Sequence, residues 1–362
     1  MTRKTVIRFD DDSLPMNKMQ IILNNNSNLK ALDSKSKIYS FEFDDNAFLH
    51  ASLLLGQNPQ RFGYDLSYYL HFLPSIFKNI KSDYIVLDFG SADFKRRASE
   101  DLGVGIAALF MVKSFKIRWE KIFQIPANKK LSRYTPDFEA TASNGKQYIF
   151  EAKGRTSPHK MEETITKAVS QIKAYQRQNE GKFAIVSYFP TSKKLFPSFT
   201  FVVDPSQPEN IFELDEEDKL LLHYRHALEF SALLETMSVL TRFLSQKIKS
   251  RMSKKEGRLP FPKDEFHLDK LRDTLVHSLM REAEGLEKLK FDNFIFIGKR
   301  QRIEVGEIKI ELFRGIEREI INRIIRFDKN IEYLEDRIID EEDKKISIFS
   351  DGTILYIHIL HS

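Results

Sequence analysis

The 362-residue sequence contains no cysteine, and only 14 glycines and 12 prolines. The absence of cysteine excludes disulfide scaffolds, thiol nucleophiles, iron–sulfur clusters and cysteine-ligated zinc. The low glycine and proline content argues against extended disorder. The first residues lack the apolar segment of a secretory signal. The longest apolar run, residues 104–112, is half the roughly 18 to 20 residues that a membrane span needs. These absences predict a cytoplasmic protein of a reducing compartment that does not contact a membrane.

Neither sign of charge is in large excess. Lys and Arg together number 57 and Asp and Glu number 52, which leaves a net charge of +5. Such a mild excess permits a polyanionic partner without requiring one. With 41% hydrophobic residues, the chain is long enough to form two or three domains.

Changes in composition divide the chain near residues 82 and 205. Residues 1–82 mix short β-like runs with polar turns and predict an α+β region of unknown role. Residues 83–205 alternate helices and strands. Residues 206–362 are predicted to be mainly helical, with a highly charged helix over 314–342, and to close with a β-hairpin around Asp351–Gly352. We expect this C-terminal region to serve target recognition or oligomerisation, with a second copy or with a partner subunit.

The middle region shows a regular order of elements. Helical spacing begins at Ser91, although Ser99 is an alternative cap for a shorter helix. The predicted elements are, in chain order, a strand over 84–89, a helix over 91–113, strands over 115–125, 134–140 and 146–153, a helix over 162–178 and a strand over 183–189. From the first of these helices onward, the order helix, three strands, helix, strand predicts a compact α/β unit.

A hairpin is predicted between the second and third of the three consecutive strands. Asn144–Gly145 favours a type I′ turn, in which both central residues have positive φ. Counting outward from that turn places Ser143 opposite Lys146 and Asp137 near residues 150–153, with allowance for a bulge. The sheet is therefore expected to be antiparallel at this point.

Two carboxylates and one ammonium group are expected to converge at the open end of this hairpin. Asp137 lies on one strand, and Glu151 and Lys153 lie on the next. Because side chains alternate along a strand, Glu151 and Lys153 project from the same face. Paired carboxylates are typical of Mg²⁺ sites, and a lysine beside them can orient water and stabilise charge on phosphate. The set predicts metal-assisted hydrolysis of a phosphodiester, and the alternative is an exposed surface ion pair.

At these residues the sequence resembles the PD-(D/E)xK nuclease superfamily, which has the restriction-endonuclease-like fold. Pro136–Asp137 corresponds to the PD of that motif, and Glu151–Ala152–Lys153 corresponds to its E-x-K. The resemblance covers roughly residues 84–190, about a third of the chain. It implies an α/β fold with a restriction-endonuclease-like core, in which helices flank a mixed sheet. In this chain the core would lie between the α+β N-terminal region and the mainly helical C-terminal region.

Two further features support the resemblance. Glu100 stands near the start of the first core helix, with Asp101 as an alternative, and Gln171 and Tyr175 resemble the Q-x-x-x-Y element of RecB-like nucleases. The resemblance implies that Mg²⁺ or Mn²⁺ is held by Asp137, Glu151, the Ala152 backbone carbonyl and Glu100. It implies that Lys153 activates the attacking water. Gln171 and Tyr175 would support the site.

Basic residues flank the motif on both sides in the sequence. Neutralising the phosphates of a nucleic acid requires such a surface, although solvated lysines on any helix look alike. The predicted nucleic-acid contacts are Lys129, Lys130, Arg133, Arg155, Lys160 and Lys167.

The sequence therefore predicts a metal-dependent nuclease, with DNA favoured over RNA and a prokaryotic defence or restriction system as the favoured setting. The alternative is a non-catalytic nucleic-acid-binding or assembly module that retains the nuclease fold. The complete set of Asp137, Glu151 and Lys153 argues against this alternative, because a degenerate site does not require all three.

Overall fold

A computed structural model gives the chain a mixed α/β architecture with two β-sheets. The structure describes residues 2–9, 16–56, 84–87, 91–125, 136–174, 181–191, 197–204, 216–255, 262–305, 308–326 and 334–360. Within these ranges there are fourteen strands and eight α-helices. No helix of the described residues is long and apolar enough to cross a membrane.

The chain divides into two compact units. The first comprises Met1–Glu213 with Ile303–Glu307, and the second comprises Leu214–Arg302 with Ile308–Ser362. Described strands from both sides of residue 82, where the sequence suggested a boundary, share one sheet and belong to the first unit.

The first unit contains an eight-stranded sheet of order β2-β3-β1-β8-β7-β6-β5-β4. Its strands are β1 Thr2–Phe9, β2 Leu29–Asp33, β3 Ile38–Asp44, β4 Ile117–Gln124, β5 Phe138–Ala142, β6 Gln147–Arg155, β7 Gly181–Tyr188 and β8 Phe199–Val203. Its helices are α1 Met16–Asn25, α2 Asp45–Leu55, α3 Ala92–Phe115 and α4 Met161–Ala174. The predicted strand over 84–89 is reduced to one bridge, from Tyr84 to Lys4, within the described residues 84–87. Residues 88–90 lie outside the described ranges.

The predicted order of the middle region is present as α3, β4, β5, β6, α4 and β7. Helix α3 begins after Ser91, whose hydroxyl accepts the Phe94 N–H at 3.2 Å. The alternative cap Ser99 is wrong, because this residue is buried inside α3 and its hydroxyl donates to the Arg96 carbonyl. Strands β4, β5 and β6 pair antiparallel, whereas β6 and β7 pair parallel because α4 crosses between them.

The two faces of β6 pack against different helices. Ile149 belongs to an apolar cluster with Met161 and Ala168 of α4, so the odd-numbered residues of β6 face that helix. The opposite face approaches α3 closely at Gly154, where an added Cβ would lie 1.5 Å from the Ser99 carbonyl oxygen. Only glycine fits there, and α3 therefore lies directly against the end of the strand that carries Glu151 and Lys153.

The β5–β6 turn differs from the predicted type I′ turn. Gly145 has φ +80°, but Asn144 is not among the described residues with positive φ. The Gly145 N–H donates to the Ala142 carbonyl at 2.9 Å, and the Ala142 N–H donates to the Lys146 carbonyl at 2.9 Å. The loop therefore has three residues and a glycine bulge, and Lys146 lies opposite Ala142 instead of Ser143.

The second unit contains more β-structure than the mainly helical region that the sequence predicted. Its six-stranded sheet has the order β12-β13-β14-β11-β10-β9. The strands are β9 Glu287–Phe291, β10 Phe294–Val305, β11 Ile308–Glu317, β12 Arg337–Asp340, β13 Lys344–Ile348 and β14 Thr353–Leu360. The helices are α5 Glu216–Phe230, α6 Leu234–Lys255, α7 Pro262–Gly285 and α8 Arg318–Arg326. The predicted hairpin around Asp351–Gly352 is confirmed as β13 and β14.

The predicted helix over 314–342 is wrong at both of its ends, and its residues 327–333 lie outside the described ranges. Strand β11 continues to Glu317, and its residue Gly315 pairs with Ile354 of β14. Among the described residues of this stretch, only Arg318–Arg326 is helical. Residues 337–340 form β12. The hydrogen-bond ladder with β14 outweighs the local charge spacing that suggested a helix.

Candidate active site

Asp137 and Glu151 lie directly opposite each other at the open end of the β5–β6 hairpin. The last pair of the β5–β6 register is Phe138 with Phe150, and Asp137, which directly precedes β5, lies one position beyond that pair, as Glu151 does on β6. The Asp137 N–H donates to Glu151 Oε2 at 2.8 Å, and the Ala152 N–H donates to Asp137 Oδ2 at 3.1 Å. Each carboxylate is therefore oriented by a backbone N–H group of the neighbouring strand.

Lys153 joins both carboxylates. Its ammonium nitrogen lies 3.2 Å from Asp137 Oδ2 and forms an ion pair with Glu151 Oε1. Glu151 and Lys153 are two residues apart on β6, so their side chains share the face that α4 covers. The predicted convergence of the three groups is thus present in the structure.

Burial makes the two carboxylates unequal. The Glu151 side chain is 0% exposed, whereas that of Asp137 is 28% exposed. Burial, together with repulsion by the Asp137 carboxylate, raises the pKa of Glu151 to about 8, although Lys153 opposes the shift. Burial alone would lower the pKa of Lys153, but the charges of Asp137 and Glu151 raise it above its usual value. Lys153 therefore remains an ammonium group at neutral pH.

The donor set fits a hard divalent cation. Two carboxylates converge, and the partly exposed Asp137 has an oxygen, Oδ1, to which no described residue donates a hydrogen bond. The structure brings together no group of three or more His, Cys, Asp or Glu side chains that could hold a metal among its described residues. A cation bound here would need further ligands from backbone carbonyl, water or phosphate oxygens, which is common for Mg²⁺.

Glu100 stands apart from the carboxylate pair. Its Oε1 lies 3.5 Å from Arg155 Nη1 and 3.6 Å from Arg96 Nη1, and among the described residues it does not complete a group of three acidic side chains with Asp137 and Glu151 that could hold a metal. The predicted role of Glu100 as a metal ligand therefore requires its side chain to move. Asp101, the alternative, lies beside Gly56 at the end of α2, within 2.9 Å of where a Cβ on that glycine would be.

The other predicted site residues have varied positions. Gln171 is half-buried on α4, and Lys160 is exposed just before that helix. Lys167 is exposed on α4 and forms an ion pair with Glu163. Arg155 is the last residue of β6 and lies beside Glu100. The predicted residues that fall outside the described ranges are Tyr175, Lys129, Lys130 and Arg133.

Sequence reasoning missed two features next to the motif. The Thr164 hydroxyl of α4 accepts the Arg155 Nε–H at 3.1 Å. An added Cβ at Gly103 would lie 2.6 Å from the Gly154 backbone nitrogen, so two glycines form the contact between α3 and β6. The only sign of these features in the sequence is Gly154, directly after Lys153. Its contact with α3 could not be predicted from the sequence of β6 alone.

No protein-family model, curated protein or solved structure matches this chain. What the chain does must therefore be inferred from the chemistry of its own residues.

Proposed function

We propose that this chain is a metal-dependent nuclease with a restriction-endonuclease-like core, as its PD-(D/E)xK-like motif suggests. The observation that carries the proposal is the arrangement of Asp137, Glu151 and Lys153. Asp137, directly before β5, and Glu151 on β6 each accept a hydrogen bond from a backbone N–H group on the opposite side of the hairpin, and the Lys153 ammonium group contacts both. Their spacing in the sequence alone could not establish this contact.

Each of the three side chains has a defined task in phosphodiester hydrolysis. Asp137 and Glu151 hold Mg²⁺ or Mn²⁺, with the Ala152 carbonyl as a further ligand. Such a cation polarises the phosphate and acidifies a water molecule when it is bound. Lys153 donates a hydrogen bond that orients the attacking water, and its positive charge stabilises the charge that develops on the phosphate. Glu151 must lose its proton before it can bind the cation.

We infer DNA as the substrate class and a prokaryotic defence or restriction system as the setting. In this proposal the phosphates are bound by the positive charges of Arg155 at the end of β6, of Lys160 just before α4 and of Lys167 on α4. In this proposal the second unit recognises the target or joins a second copy or a partner subunit, and the protein works in the cytoplasm.

Cleavage assays test the proposal directly. Purified protein is incubated with supercoiled, linear, single-stranded and methylated DNA and with RNA, in Mg²⁺, in Mn²⁺ and in EDTA. We expect metal-dependent cleavage of a DNA substrate that Asp137→Ala, Glu151→Gln and Lys153→Met each reduce by at least about 100-fold. Glu162→Gln and Lys173→Met remove the same charges from exposed positions on α4 and should cleave like the wild type.

The Lys153→Met variant should fold, because Glu151 can take up a proton when its cationic partner is removed. Full cleavage by Lys153→Met protein would refute the role of the lysine. Absence of cleavage by wild-type protein in every metal and on every substrate would refute the nuclease itself.

One observation favours a second candidate, a non-catalytic nucleic-acid-binding module. Lys153 contacts both Asp137 and Glu151, so the two side chains already have a cationic partner without a metal. This candidate predicts DNA binding that is equal in Mg²⁺ and in EDTA and yields no product. Calorimetry with Mn²⁺ separates the two candidates, because only the nuclease should bind the cation through Asp137.

A further inference from the structure

Arg155 continues the polar face of β6 beyond Lys153. The two residues are two positions apart, so their side chains leave the strand on the same side as Glu151. The Arg155 carbonyl accepts the Phe189 N–H at 2.8 Å, which fixes its backbone at the end of the strand. A guanidinium group anchored here lies at the end of the strand that carries Glu151 and Lys153.

The guanidinium group of Arg155 is held by three polar contacts. Its Nε–H donates to Thr164 Oγ1 at 3.1 Å, and Nη1 donates to the Gly154 carbonyl at 3.1 Å and lies 3.5 Å from Glu100 Oε1. Thr164 is itself oriented, because its hydroxyl hydrogen is donated to the Lys160 carbonyl at 2.7 Å. Its oxygen therefore faces Arg155 as an acceptor, and Thr164 as a whole residue is only 4% exposed.

This arrangement leaves one edge of the guanidinium group available. Nη2 has no hydrogen-bond partner among the described residues, and the side chain is 29% exposed. The contact with Glu100 is long and lies at the surface, so it holds Arg155 weakly. A planar guanidinium with a fixed Nε and a free edge is suited to bind two oxygens of a phosphate.

We propose that Arg155 binds a backbone phosphate of the nucleic acid next to the scissile phosphate, and that Thr164 is its positioning residue. The proposal rests on the nuclease function proposed above and identifies the phosphate backbone as what this part of the site contacts. When the phosphate binds, it replaces Glu100 at Nη1, while Thr164 keeps its hold on Nε. An exposed lysine lacks such a hold, and this distinguishes Arg155 on β6 from the basic residues on α4.

Cleavage by matched variants tests the orientation. Arg155→Met should lower kcat by about 100-fold, and Arg155→Lys, which keeps the charge but loses the planar fork, by about tenfold. Thr164→Val should also lower kcat by about tenfold, because a hydrogen bond to a charged group is lost, and Thr164→Ser should restore it. Thr166→Val and Lys173→Met change exposed positions on the same helix and should have no effect.

Binding measured in EDTA tests the contact without relying on cleavage. For a DNA duplex, Arg155→Met should weaken affinity and reduce the dependence of log K on log salt by about one unit of slope. Lys173→Met should leave the slope unchanged. Thermal unfolding of each variant identifies any that fails to fold.

The outcomes separate this proposal from the nuclease assignment. Equal kcat and equal salt slope in Arg155→Met and Lys173→Met would overturn the role of Arg155 even if the wild type cleaves DNA. If the wild type cleaves nothing, the nuclease proposal fails, and an unchanged affinity in Arg155→Met would then overturn the phosphate contact as well. Failure of Thr164→Ser to restore kcat would overturn the positioning role of Thr164.

Discussion

The buried carboxyl group of Glu151 should make the stability of the metal-free protein fall as pH rises. Its pKa is about 8 in the folded chain and 4.5 in an unstructured one, because burial and the Asp137 charge disfavour ionisation. Between pH 4.5 and 8 the unfolded chain releases a proton that the folded chain retains. The contribution of Glu151 to the free energy of unfolding is therefore fully present below pH 4.5 and is lost as the pH rises through 8.

The size of this effect follows from the pKa difference. A proton that only the folded chain retains lowers the free energy of unfolding by about 1.4 kcal/mol for each unit of pH, so the loss accumulates between the two pKa values. In Glu151→Gln this contribution is absent, because an amide does not titrate. The variant should therefore gain stability relative to the wild type by about 1.4 kcal/mol for every unit of pH between 5 and 8.

Urea unfolding in EDTA at several pH values between 5 and 8.5 measures the difference. Other buried acids, such as Asp45 with a pKa of about 6, contribute equally to both proteins and cancel in the comparison. Glu162→Gln serves as the control for loss of an exposed carboxylate. Parallel pH profiles for the wild type and Glu151→Gln would show that Glu151 is ionised in the folded protein, and the electrostatic reasoning would be wrong.

Three further predictions concern the same molecule. The affinity of the wild type for Mn²⁺, measured by calorimetry, should rise about tenfold per pH unit up to about pH 8 and then level off, because Glu151 must lose its proton before it can bind the cation. An affinity that does not depend on pH would contradict this prediction. Gly154→Ala should destabilise the protein by about 3 kcal/mol in urea unfolding because its Cβ meets the Ser99 carbonyl, whereas Gly285→Ala, which meets nothing within 4 Å, should be neutral. His223→Ala should lower the free energy of unfolding by about 3 kcal/mol, because the buried Asp351 carboxylate loses its contact with the His223 ring, whose Nε2 lies 2.9 Å from Asp351 Oδ2. An unchanged melting temperature would show that His223 does not stabilise this carboxylate.

The order of elements around the motif was predictable from local patterns. Alternating apolar residues and the Ser91 cap depend on near neighbours in sequence, and they give α3, the three antiparallel strands and α4. The pairing of β1 with β8 joins residues such as Val6 and Phe199, which no local pattern relates. For the same reason the sequence suggested a separate N-terminal region where the structure has one continuous sheet.

The second unit shows how tertiary pairing overrides local spacing. Residues 314–317 carry charges at helical intervals, yet they extend β11 because their backbone groups bond to β14. Similarly, the hydrogen bond between Arg155 and Thr164 joins a strand and a helix, and only the path of the chain between them brings the two together.

The register of the β5–β6 hairpin connects a turn glycine to the candidate site. A turn that placed Ser143 opposite Lys146 would place Asp137 opposite Ala152, whose side chain points to the other face of the sheet. The three-residue loop with Gly145 at φ +80° changes this register by one residue, so that Asp137 lies opposite Glu151. The Asn-Gly pair predicts a hairpin but does not distinguish these two loops, because both require a residue with positive φ at the glycine. The position of the bulge is therefore what places the two carboxylates on one face, and the sequence could predict that they lie close together but not how they meet.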